Sequence, residues 1–158
     1  MFGGLHTPRP LPSDDILVGV ARHFTPRLEV LHPSLLLLDL GGLGRLWPSP
    51  ELLGRALLDA TRARQIEEAR LALATTRTTA LVVARARPGL SIVPTGQEAA
   101  TLAPLPLRLL DLPEGHATLF RSWGLRTLGD LAALPPAGLA ERLGPEGPRL
   151  ARLARGED

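Results

Sequence analysis

The sequence predicts an α+β fold, a small sheet with helices on one face, joined to a second segment that is helical throughout. Three observations lead there. Between Arg27 and Leu102 the apolar patterning changes in the order strand, strand, helix, strand, helix, strand, which suits a layer of helices on a sheet. At Ala103-Pro104-Leu105-Pro106 the composition shifts, and everything beyond reads as short helices. Hydrophobic residues make up 44% of the chain and aromatics 3%, so a core must be assembled from Leu, Ala and Val. At 158 residues the chain has room for one typical domain or two small ones.

Residues 1–12 are rich in Pro and Gly and are expected to form a flexible arm, with no strand before Ser13. Ser13 then caps a helix reaching His23, with Asp14 and Asp15 in the first turn, where the helix dipole favours anions. Arg27–Leu31 and Leu35–Leu40 suit two strands turning at His32-Pro33-Ser34, and Gly41-Gly42 ends the second. Ser49-Pro50-Glu51 is a helix start: a capping hydroxyl, a proline at the first helical position and an early acid. The stripe of Leu53, Leu57 and Leu58 carries that helix to about Arg64. Arg70–Ala74 is a strand, Thr76 or Thr78 opens a helix ending at Ala86, Leu90–Val93 is a short strand, and Gln97–Leu102 is one or two helical turns. The arm (1–12), the α+β domain (13–102) and the helical domain (103–158) are the expected divisions. In the last, helices are predicted over Leu105–Leu110, Pro113–Trp123, Thr127–Leu134, Pro136–Leu143 and Pro145–Arg155. Thr127 and Asp130 are spaced as a capping box. Helices so short require packing on one another.

Charge and composition exclude several chemistries. All 18 basic residues are arginine, and the net charge is +2, so the sequence pI near 10.8 reflects the lack of Lys, Tyr and Cys rather than a large excess of positive charge. Without cysteine there are no disulfides, thiolate nucleophiles or cysteine zinc sites. Without lysine there is no Gly-rich phosphate loop ending in Lys, and no Gly-x-Ser-x-Gly elbow is present. His6, His23, His32 and His116 lack spacing with acids that would build a metal site. No signal-like or bilayer-length apolar run occurs, so a cytoplasmic protein with no membrane association is expected.

The stretch Phe24 to Gly42 resembles the palm hairpin of Y-family translesion DNA polymerases, where Ser-Ile-Asp-Glu-Ala-Tyr/Phe-Leu-Asp-Val-Thr carries an Asp-Glu pair to the catalytic magnesium ions. Phe24-Thr25-Pro26-Arg27-Leu28-Glu29 is similar to the entry into that hairpin, and Gly42-Leu43-Gly44-Arg45-Leu46-Trp47 to its exit in the inactive ImuB group. With Leu38-Asp39-Leu40 on the family's Leu-Asp-Val, Ser34 and Leu35 stand where the acids would be. Magnesium takes hard oxygen ligands; leucine has none and serine one neutral oxygen. Asp39 falls on the family's non-catalytic aspartate and reads as a turn former. Gly124-Leu125-Arg126-Thr127-Leu128-Gly129-Asp130-Leu131 resembles a run of the Y-family thumb, and Leu153–Asp158 resembles its end. The family's thumb has helix-hairpin-helix character, and its Gly-hydrophobic-Gly hairpin falls here on Asp111-Leu112-Pro113. Aspartate repels phosphate and proline donates no amide; Asp111 is expected to cap the next helix instead.

The resemblance implies a palm remnant with a helical thumb. It further implies a non-enzyme without metal or cofactor, serving as an adaptor for an active translesion polymerase on damaged DNA. Arg121, Arg126 and Thr127 in the thumb and Arg77 in the palm are its candidate contacts to damaged or primer-template DNA, weak and made through the backbone; other proteins of a translesion complex are the further partners. The first palm strand, most of the fingers and the little finger are expected to be missing, leaving sheet edges that a partner or absent segment covers. The five arginines from Arg55 to Arg77, set against Asp59, Glu67 and Glu68, form a weak basic face that reads as a solvated helix face ahead of a phosphate track. Two other readings stay open: a small sequence-independent DNA-binding module, and a truncated remnant of an active polymerase.

Overall fold

The computed structural model describes every residue except Pro10, Asp14 and Glu114. The chain divides into two compact units, Met1–Thr95 and Gly96–Asp158. In the first, five strands form one sheet in the order β2-β3-β1-β4-β5: β1 (Phe2–His6), β2 (Leu28–His32), β3 (Leu35–Asp39), β4 (Arg70–Ala74) and β5 (Leu90–Ile92). Helices α1 (Asp15–Arg22), α2 (Pro50–Arg62) and α3 (Arg77–Ala86) connect them. Strand β1 is antiparallel to both β3 and β4, while β4 and β5 are parallel, as the crossover through α3 requires. The first six elements therefore form a split β-α-β arrangement, β1-α1-β2-β3-α2-β4.

Strand β1 overturns the expected arm: residues 2–6 are the middle of the sheet. Gly3-Gly4 reads as a loop because glycine weakens strands, yet here it is what the packing needs. A Cβ on Gly4 would lie 2.3 Å from the carbonyl oxygen of Ala80, so α3 rests on the bare backbone of β1. Leu5, Leu36 and Leu71 stand in register on three adjacent strands and are at most 1% exposed, on the face that buries Leu17 of α1 and Leu53 and Leu57 of α2. Since side chains alternate along a strand, Gly4 and α3 belong to the other face. The single helical layer expected on one side is thus α1 and α2, and α3 is an addition opposite. The edge strand β2 leaves Val30 and Leu31 about two-fifths exposed, at 43% and 41%.

Local signals shape the elements as the chemistry dictates. Ser49 Oγ accepts the Leu52 amide at the start of α2. Ser13 Oγ accepts the Asp15 amide; Asp14, expected beside it, lies outside the described residues.

The second unit is helical: α4 (Glu98–Leu102), α5 (His116–Ser122), α6 (Leu128–Ala132), α7 (Pro136–Leu143) and α8 (Glu146–Ala154). Only Leu107–Leu109 of the helix expected over 105–110 is helical, as one 3-10 turn. Its flanks pair with the segment before α6 instead: Leu107 N–H donates to Arg126 O and Leu128 N–H to Leu105 O, each at 2.9 Å. Gly115, in the left-handed region at φ 86°, caps α5 without a side-chain bond, so Asp111 is not that helix's cap. Thr127 and Asp130 form the capping box. Phe120 is fully buried with its ring against those of His116 and Trp123, and Leu128, Leu131, Leu139 and Leu150 are buried in the same unit. Helices α7 and α8 pack closely because Gly147 has no side chain; its Cβ would meet Leu139 O at 2.5 Å.

Candidate functional site

The corner where β1 meets β3 is built by the turn His32-Pro33-Ser34 and the end of β1. The Ser34 carbonyl accepts the Thr7 amide and His6 Nδ1–H, each at 2.9 Å. The Ser34 hydroxyl donates to His32 Nδ1 at 2.9 Å, and its amide reaches the same nitrogen at 3.3 Å. Leu35 is 4% exposed and stands in register with His32 on one side and His6 on the other, with Arg70 next across the sheet. That rung reads His32, Leu35, His6, Arg70. The Arg70 guanidinium donates to the Arg85 carbonyl at 3.0 Å, tying β4 to the end of α3.

The magnesium site that the resemblance assigns to Ser34 and Leu35 does not fit these residues. Leu35 offers no oxygen, the Ser34 hydroxyl is a neutral donor bound to His32, and the neighbouring groups are imidazoles and guanidinium, where a divalent cation needs carboxylates. Among the described residues no three His, Asp or Glu side chains gather as a metal site.

Burial holds the His6 imidazole below its ordinary range; its bond to Ser34 O acts against this, while Arg70, Arg85 and His32 reinforce the lowering. In the unfolded chain His6 titrates near 6.5 and so binds more protons than the folded one just below that value. Stability therefore falls as pH drops through 6.5 toward the folded pKa. Urea unfolding at pH 7.5 and 5.5 is expected to show that loss, and His6→Asn to flatten it; an equal loss in the variant would refute the assignment. The lowered carboxylates of Glu51, Asp130 and Glu157 act in a separate window, more acidic than about pH 4.5.

Asp39 and Arg77 line a hollow of about 240 Å³ on the same unit. Asp39 Oδ1 accepts the Gly41 amide at 2.8 Å and Oδ2 faces Arg27 Nε at 3.4 Å, so the carboxylate shapes the turn. Arg77 is ion-paired with Glu29 of β2. A phosphate contact by Arg77 would first have to break that pair.

In the helical unit, Arg121 and Arg126 come together on one cleft of about 280 Å³, and Arg108 joins them. No local pattern in the sequence marks Arg108, because only the pairing of 105–107 with 126–128 brings it there. Thr127 is committed locally: its hydroxyl accepts the Asp130 amide at 3.1 Å, while Asp130 Oδ2 accepts the amides of Arg126 and Thr127 at 2.8 Å. Those amides hold the Asp130 carboxyl below the usual carboxylate range.

No family model matches the chain. Protein ImuB of Caulobacter vibrioides (strain NA1000 / CB15N) is 34% identical over 121 residues, covering 77% of this chain and 26% of that protein. DNA polymerase IV of Dehalococcoides mccartyi (strain CBDB1) is 42% identical over 76 residues, 47% of this chain and 20% of that protein. The chain thus spans about a quarter of the length of the curated relatives it matches. Among solved structures, DinB from Sulfolobus solfataricus matches at a TM-score of 0.68 and 17% identity, over 90% of this chain and 43% of that one. An insertion ternary complex of Dbh DNA polymerase matches at 0.68 and 16%, over 92% and 44%. These two matches show the fold, a partial Y-family palm and thumb.

Proposed function

We propose that this chain, a Y-family polymerase-like protein of the ImuB group, takes part in DNA damage tolerance without polymerising DNA, as an adaptor that brings an active translesion polymerase to damaged DNA. The observation that carries this reading is the β1–β3 corner. Where a two-metal site would need clustered acids, it presents Ser34, Leu35 and His6 with Arg70 alongside. Phosphoryl transfer depends on cations held by carboxylates to neutralise the developing charge. An imidazole and guanidinium lining works against holding them.

The test is primer extension with magnesium and all four nucleotides. The full chain is expected to leave the primer unextended, and to bind a purified active translesion polymerase in a sedimentation or pull-down assay. Extension that persists in Ser34→Ala/Leu35→Ala would show that the chain uses other residues for catalysis and would sink the non-catalytic reading.

A further inference from the structure

The helical unit carries seven arginines against eight acidic residues, a net charge of −1. Four of those arginines are engaged. Arg149 pairs with Glu146, Arg152 and Arg155 pair with Glu157, and Arg142 lies over the Trp123 ring at 5.4 Å. The other three, Arg108, Arg121 and Arg126, are exposed and form no ion pair among the described residues, and all three line the same cleft. No described carboxylate lines it. Asp130 exerts a coulombic pull on Arg126, but its Oδ2 is taken by two backbone amides. Between the guanidinium groups the lining is apolar, with Leu107 buried and Leu112 and Leu125 half-buried.

We propose that this cleft docks a short acidic peptide of a protein partner, one apolar side chain seated against Leu107, Leu112 and Leu125 and flanking carboxylates held by Arg108, Arg121 and Arg126. The idea rests on the adaptor reading for the existence of such a partner, and it names the chemistry by which that partner is held. Arginine binds carboxylates in a planar fork, and the leucines reward burial of an apolar side chain at roughly 25 cal/mol for each Å² removed from water. A phosphodiester crossing the cleft would gain only the first of these and would lose hydration over the leucines. Range matters as well. Screening confines charge effects to about 8 Å at physiological salt, so a short peptide meets three cations, whereas a long polyanion also lies against the rest of a unit whose net charge is negative. The cleft is firmly framed: the bonds between 105–107 and 126–128 fix Arg108 beside Arg126, and Arg121 is on α5. Its volume of about 280 Å³ suits one anchoring side chain and its neighbours rather than a larger ligand.

The experiment is fluorescence anisotropy with the full chain and a fluorescein-labelled hexapeptide, two adjacent leucines flanked on each side by two glutamates. Saturable binding is expected, and Arg121→Glu, Arg126→Glu or Arg108→Glu should each weaken it at least about tenfold. A peptide with serines in place of the leucines should bind at least about tenfold more weakly. Each variant is checked for an unchanged thermal transition, which exposed positions permit. A labelled single-stranded 20-nucleotide DNA is expected not to displace the peptide. Absence of saturable peptide binding overturns the proposal, as does displacement by the DNA together with equal loss of DNA binding in the three variants, which would give the cleft to nucleic acid. Failure here would leave the adaptor reading standing, since that reading falls on primer extension, which the cleft does not enter.

Discussion

Replacing Gly4 by valine is expected to unfold the sheet-containing unit or to destabilise it by about 3 kcal/mol or more, at the upper end of what overpacking costs. The reason is where the new atoms would go. The first of them, Cβ, would fall 2.3 Å from Ala80 O and 2.7 Å from its carbonyl carbon, both backbone atoms of α3 that cannot rotate away as a side chain does. Either α3 lifts from β1, exposing Val83 and Ala80, or the central strand shifts in register with both neighbours. A protein with a total stability of some 5–15 kcal/mol withstands little of either. Urea unfolding followed by the emission of Trp47, in a Trp123→Phe background, measures the effect in this unit. Gly19→Ala is the control: nothing lies within 4 Å of its Cβ, and inside α1 an alanine is worth up to about 1 kcal/mol over glycine. A Gly4 variant as stable as the Gly19 variant would mean that α3 does not sit on β1.

Truncating Phe120 to alanine should cost the helical unit about 3–5 kcal/mol. The chain has only three phenylalanines and two tryptophans, and this unit has one of each, their rings tilted against one another with centroids 5.7 Å apart. Its helices are five to nine residues long and have no stability apart from their packing. Phe120, with no exposed surface, is the largest side chain in the core they share. In a Trp47→Phe background the Trp123 emission is expected to shift to the red in Phe120→Ala at temperatures where the parent is folded. A transition midpoint unmoved by the change would show that the helices are held by something else.

How much of this was legible in the sequence varies with the range of the interaction involved. Ser49-Pro50-Glu51 and Thr127 with Asp130 were readable because a cap is made by residues three apart, and the chemistry is complete within one turn. Arg70–Ala74 was readable from alternation alone. Strand β1 was not, since Gly3 and Gly4 look like a loop until the backbone of α3, some 76 residues on, is laid across them. The corner at Ser34 and Leu35 could be located by resemblance, but its lining by His6 and Arg70 depends on strand pairing that no local pattern encodes. The same holds for the cleft. Arg121 and Arg126 could be named from the thumb-like run, while Arg108 reaches them only through the Leu107–Arg126 and Leu105–Leu128 bonds. Asp111 precedes a helix-like stretch in the sequence, but the turn at Gly115 intervenes before α5 begins.

The seat of α3 on Gly4 also bears on what this sequence can become. On the α3 side of β1, the residues available to a new functional group are 2, 4 and 6, since side chains alternate. At residue 4 the space is already filled by the main chain of another helix, so an aspartate there is excluded by the same contact that excludes valine. A lineage exploring single substitutions can therefore gain an acid on this face only at residue 2 or 6, unless a whole helix moves first. Packing of this kind acts as a ratchet: it leaves the fold intact while narrowing the mutational routes by which an acid can enter this strand.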